Sequence, residues 1–105
     1  MGLPDSFPIA CGPAHDAYRV APAGELDIAT VPLLEAAFEQ AERDAPGMLL
    51  LDLSAITFID STGIQLLLRL SDRTPERITI VASPAISRLL DITGLSDQLP
   101  LAGGP

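Results

Sequence analysis

Asp60, Ser61, Thr62 and Gly63 stand in a row. This run offers one carboxylate, two hydroxyls and a residue without a side chain. It has two chemical readings. In the first it is a helix cap: Asp60 or Ser61 accepts from the orphan amides of a first turn, and Gly63 lets a neighbouring element approach. In the second the same helix end is a place for anions, because its unpaired amides and dipole favour negative charge. A phosphate on Ser61 would be tolerated there and would add roughly −1.5 to −2 charges. Asp60 adjoins it, so the modified surface would turn locally more negative. A partner surface built around a neutral Ser61 would then lose affinity through repulsion and desolvation.

Other reactive residues form no constellation. His15 lies alone in a turn and reads as a surface residue. The single cysteine, Cys11, excludes an intramolecular disulfide and any cysteine-based zinc cage, and reads as a small strand hydrophobe. Asp27, Asp52 and Asp60 raise the possibility of a phosphoacceptor aspartate with a magnesium-binding acidic pair. That chemistry needs oxygen ligands converging at the C-terminal ends of strands. Asp52 instead falls inside a predicted strand, and the chain has no lysine to pair with a phosphoaspartate. No Gly-Xaa-Ser-Xaa-Gly elbow, nucleotide-binding glycine loop or metal-ligand set occurs. Ser61 has no identifiable base, so it reads as a substrate of another protein's kinase rather than a nucleophile. No catalytic residue, cofactor or metal is expected, and the chain is not read as an enzyme.

The elements that must position Ser61 follow from pattern. Phe7 to Cys11 and Ala17 to Ala21 are short strand candidates joined through a turn-forming stretch from Gly12 to Asp16. Pro8 and Pro22 remove ladder donors, so the first strand reads as an edge and the second should bulge or end near Pro22. Thr30 is an N-cap candidate before Pro32, and Val31, Leu34, Ala37, Phe38 and Ala41 recur at helical spacing. Glu35, Glu39 and Glu42 form the opposite, solvated face. After Pro46-Gly47, Met48 to Leu53 reads as a strand buried on both faces. Ser54 to Phe58 leads into the Ser61 run, and Ile64, Leu67, Leu68 and Ser71 mark a helix that Pro75 stops. Arg77 to Val81 is a β-branched strand. Ser83-Pro84 is an N-cap with proline at the first helical position, Ile86, Leu89 and Leu90 give that helix its apolar face, and Gly94 ends it. Leu99 to Ala102 is a last short strand. Alternating strands and helices imply right-handed crossovers and an α/β fold. The sheet should have four or five mostly parallel strands with an antiparallel edge, and helices mainly on one side.

Composition narrows the partners. The chain has 105 residues, six basic and fourteen acidic, for a net charge of −8, and length alone favours one domain. Residues 1–6 read as a flexible start and 103–105 as a flexible tail. All six basic residues are arginines. This balance argues against general nucleic-acid binding and against docking on an anionic membrane. The richest apolar stretch, Gly63 to Leu70, is interrupted by Gln65 and Arg69, so nothing reads as a membrane span. The start lacks the pattern of a secretory leader, and the expectation is a cytoplasmic domain.

Three segments then carry a resemblance. They are Gly24-Glu25-Leu26-Asp27 leading into Thr30-Val31-Pro32-Leu33, Leu51-Asp52-Leu53 followed by Phe58 to Gly63, and Ile86 to Leu95. In this order and spacing, over residues 17 to 102, the sequence resembles the STAS domain and, within it, the bacterial anti-sigma factor antagonists. The resemblance implies a partner-switching role. Such antagonists bind a serine-kinase anti-sigma factor and free a sigma factor. The kinase phosphorylates a serine of the Asp-Ser-Ser/Thr-Gly motif, and a serine phosphatase resets it. Carried onto this chain, the acceptor is Ser61, and Asp27, Asp60, Ser61, Thr62 and Gly63 form the partner-binding face. Monomer or weak dimer is the expected state. The alternative is a non-switching STAS scaffold or accessory module in a protein assembly or transporter system. Two departures stand out. Family members commonly continue into a C-terminal helix, whereas this sequence stops at Pro105, and Pro22 interrupts the strand before Gly24.

Overall fold

The computed structural model describes residues 7–102, so the expected flexible start and tail lie outside the described residues. Its elements are β1 (Ile9–Ala14), β2 (Ala17–Leu26), α1 (Val31–Asp44), β3 (Met48–Asp52), β4 (Ala55–Ile59), α2 (Ser61–Arg73), β5 (Ile78–Val81) and α3 (Pro84–Thr93), followed by a short 3-10 turn at Ser96–Gln98. The sheet runs β1-β2-β3-β5, with β4 also paired to β2. Only β1 is antiparallel to its neighbour. The expected mostly parallel α/β sheet with an antiparallel edge is the fold observed.

Pairing of β1 with β2 closes at Ala14 and Ala17, so the turn is only His15 and Asp16, tighter than the loop expected from Gly12 onward. His15 takes a left-handed backbone, φ 48°. β2 also runs on through Pro22 to Leu26. Pro22 has no amide to donate, and it falls at the seam where β2 has left β3 and not yet met β4. The strand therefore loses no parallel ladder bond at this residue.

β4 was not expected as a strand. It is the continuation of β3 along β2 after a break at Leu53–Ser54, where Asp52 Oδ1 accepts from both the amide and the hydroxyl of Ser54. In register, Gly24 faces Ile56 but Glu25 faces Phe58, so Thr57 is an extra residue on β4. This irregularity breaks the alternation of side chains. Ile56 and Ile59 point into the core, while Thr57 and Phe58 both point out. A bulge of this kind locally bends the strand and re-aims a side chain.

β2, β3 and β5 bury one face. Val20 on β2, Leu49 and Leu51 on β3, and Ile78 and Ile80 on β5 are fully or nearly fully buried. Met48 and Leu50 are not, so β3 is not the doubly buried strand its leucines suggested. The same core takes Leu34 and Phe38 of α1, Leu66, Leu67 and Leu70 of α2, and Ile86 and Leu90 of α3. Removing one such leucine to alanine costs about 2–5 kcal/mol through lost contacts and a residual cavity. The α2 stripe is wider than Ile64, Leu67 and Leu68 alone, because the helix touches both the sheet and α1.

Contact between α1 and α2 changes the reading of the acidic helix face. Glu35 pairs with Arg69, and Glu39 and Glu42 both pair with Arg73. These glutamates are therefore an inter-helix seam rather than a freely solvated face. Thr74 ends α2, donating its hydroxyl to Leu70 O, just before Pro75. Ser83 caps α3 by accepting from the Ile86 amide, and Gly94 closes it in a left-handed turn, both as expected. The last predicted strand is reduced to one parallel bridge, Ile80 to Leu101.

Candidate functional site

At the start of α2, Asp60 is the N-cap and Ser61 the first helical residue. Asp60 Oδ1 accepts from the Thr62 amide at 3.0 Å, the Gly63 amide at 3.2 Å and the Thr62 hydroxyl at 2.6 Å. The hydrogen bond from the Thr62 hydroxyl is the main cause holding the Asp60 carboxyl below its ordinary value of 3.8; burial opposes it, and the amides of Gly63 and Thr62 add to the lowering. Thr62 is half-buried with its hydroxyl engaged. Ser61 is exposed, and its hydroxyl takes part in none of these bonds. The adjacent hydroxyls are thus divided: one orients the cap, the other faces solvent.

Gly63 presses against the end of β2. A Cβ there would lie 3.0 Å from Leu26 O and 2.6 Å from Ile59 Cγ1. Asp60 N also donates to Leu26 O at 3.3 Å. These contacts bring the start of α2 beside the β2–α1 loop. In that loop Asp27 Oδ1 accepts from the amides of Ala29 and Thr30 at 3.0 and 3.2 Å. Thr30 stands at the N-cap position of α1, but its side chain makes no cap bond. Instead its buried hydroxyl donates to Glu25 O at 2.7 Å and accepts from the Asp27 amide at 3.0 Å. Asp27 therefore shapes the loop that carries Ile28, which is 75% exposed. The structure brings Asp27, Asp60, Ser61, Thr62 and Gly63 to one end of the sheet.

Sequence reasoning missed the apolar members of this surface. Ile28 could have been found as an aliphatic residue in a turn between strand and helix. Phe58 could not, because its outward direction depends on the irregular pairing at Thr57. Asp52 stands at the end of β3 rather than inside it, and its carboxylate is occupied. Burial works against its charge, but bonds from Ser54 and then the Arg19 guanidinium, 2.9 Å away, outweigh burial and lower its pKa. Among the described residues no group of three or more histidine, cysteine or acidic side chains could hold a metal ion. A hollow of about 440 Å³ lies at the far end of α2, between Leu68, Ser71, Pro75 and Pro100, away from Ser61.

The sequence matches the family model of the STAS domain over residues 14–103. The chain belongs to the STAS domain family. The STAS match spans both the β2–α1 loop and the α2 cap. Among its relatives, the anti-sigma-B factor antagonist of Staphylococcus aureus (strain NCTC 8325 / PS 47) is 34% identical over 91 residues, covering 83% of this chain and 84% of the relative. The anti-sigma-F factor antagonist RsfB of Mycobacterium tuberculosis (strain CDC 1551 / Oshkosh) is 29% identical over 90 residues, covering 84% and 74%. The crystal structure of an anti-sigma factor antagonist from Mycobacterium paratuberculosis superposes with a TM-score of 0.82 at 31% identity, covering 99% of this chain and 92% of that one. By name, these STAS relatives are all anti-sigma factor antagonists. No helix among the described residues is long and apolar enough to cross a membrane.

Proposed function

We propose that this STAS domain is an anti-sigma factor antagonist acting in the cytoplasm, where it binds a serine-kinase anti-sigma factor while Ser61 is unmodified. Phosphorylation of Ser61 ends that binding, and a serine phosphatase restores it. The observation that carries the reading is the division of the two hydroxyls: Thr62 is bonded to Asp60, whereas Ser61 is exposed on the first turn of α2. Its relatives' names support the general role. A kinase needs an accessible hydroxyl, and Ser61 offers one on a rigid helix start. The phosphate would sit beside a carboxylate already ionised at neutral pH. Repulsion between the two, and the cost of desolvating both in a protein interface, would eject the partner.

The test is to mix the protein with the serine-kinase anti-sigma factors of its own genome and ATP, then locate phosphate by mass spectrometry. Phosphate on Ser61 is expected. Phosphate confined to Thr62 or another residue, or none with any of these kinases, would overturn the assignment.

A further inference from the structure

A shallow cleft of about 200 Å³ lies between β4 and α3, lined by Thr57, Phe58, Ala85, Arg88, Leu89 and Ile92. Its rim is apolar. Phe58 is 49% exposed and Ile92 74% exposed. The exposure of Phe58 departs from strand alternation, whereas that of Ile92 follows from its place on the open face of α3. The irregular pairing at Thr57 turns Phe58 outward, and Ile92 lies off the Ile86–Leu90 stripe of α3.

Arg88 is the one charged side chain in the cleft. Four other arginines have partners within the fold: Arg19 with Asp52, Arg69 with Glu35, Arg73 with Glu39 and Glu42, and Arg77 with the carbonyls of Ala45 and Gly47. Arg88, like Arg43 on α1, makes no such bond among the described residues. On a chain with net charge −8, a guanidinium with no partner among the described residues, sharing a cleft with exposed aromatic and aliphatic side chains, fits a carboxylate flanked by apolar groups. The cleft also adjoins the candidate site, because Phe58 and Ile59 lead directly into Asp60 and Ser61.

We propose that this cleft receives a segment of the partner kinase in which aliphatic side chains cover Phe58 and Ile92 and one carboxylate pairs with Arg88. The inference rests on the kinase-binding reading above and adds a second anchor to it, on α3. Buried aromatic and arginine anchors dominate interface energies. Here they lie on rigid elements and do not depend on the state of Ser61.

The experiment measures the affinity of unphosphorylated protein for its serine-kinase anti-sigma factor by calorimetry in ADP. Wild type, Arg88→Glu, Arg88→Lys, Ile92→Ser and Arg43→Glu are compared. Arg88→Glu and Ile92→Ser are expected to weaken binding tenfold or more, Arg88→Lys to weaken it less than Arg88→Glu, and Arg43→Glu to leave it within twofold. Both cleft residues are exposed, and unchanged thermal unfolding of the variants would establish that the fold is kept. Binding of Arg88→Glu and Ile92→Ser within twofold of wild type overturns the cleft proposal while leaving the kinase reading intact. A cleft variant that alters self-association but not kinase affinity makes the occupant a second copy and overturns it too. No binding by wild type overturns the kinase reading, and the cleft proposal with it.

Discussion

A single proton donor separates two neighbouring hydroxyls. Thr62 donates to Asp60 and is fixed by that bond, which would be lost if its hydroxyl were modified. Ser61 carries no structural duty, and a change there is read at the surface. Ser61→Ala is therefore expected to fold and to keep kinase binding, while Ser61→Asp weakens it. An unpaired charge in an interface costs roughly 2–5 kcal/mol, more than tenfold in Kd. Equal Kd values for the two variants, by calorimetry, would contradict the switch. Asp60 gives a second prediction at this scale. Its folded pKa is lowered, so its stabilising contribution is present above the ordinary value of 3.8 and fades as pH falls through the lowered one. Asp60→Asn keeps an acceptor but not the charge. Urea midpoints of wild type should fall more steeply than those of Asp60→Asn between about pH 4 and pH 2. Asp52, lowered in the same direction, remains in both proteins and leaves a residual slope.

At the scale of elements, the site depends on how closely α2 approaches the end of β2. Gly63 makes that approach possible, since Leu26 O is backbone and cannot yield to a Cβ. Helix propensity alone favours alanine over glycine by about 1 kcal/mol. Overpacking reverses the sign, so Gly63→Ala is expected to destabilise by about 1–3 kcal/mol. A lower urea midpoint with unchanged slope is the expected readout, and a higher midpoint would show that the contact is slack. The caps of α2 and α3 were legible because Asp60-Ser61-Thr62-Gly63 and Ser83-Pro84 are local chemistry. β4 was not, because an irregular strand has neither strict alternation nor a sustained apolar run. Thr30 takes the N-cap position of α1 as its sequence indicates, but without a side-chain cap bond, because its hydroxyl ties Glu25 to Asp27 across the loop.

For the whole molecule, a large excess of acid over base is partly neutralised in place. Glu35, Glu39 and Glu42 meet Arg69 and Arg73 across the α1–α2 seam. Such exposed pairs contribute only about 0–1 kcal/mol each, so the core of leucines and isoleucines holds the fold. The remaining negative charge disfavours self-association. On size exclusion at micromolar concentration, the chain is expected to elute near 11.0 kDa. A large stable assembly would favour the scaffold alternative over the switch.

By itself the sequence determined the order of most elements, the capping run and the exclusion of a basic binding face, and it singled out Ser61 as the residue to propose as acceptor. These rest on neighbours in the chain and on composition, where the physics is local. Tertiary structure decided which hydroxyl is free, how Asp27 is used, and that Phe58 faces outward into a cleft shared with Arg88, which has no ion-pair partner among the described residues. Each of these depends on register or on approach between elements distant in sequence. A one-residue slip at Thr57 changes the side of the sheet on which an aromatic appears, and no pattern along the chain encodes that slip.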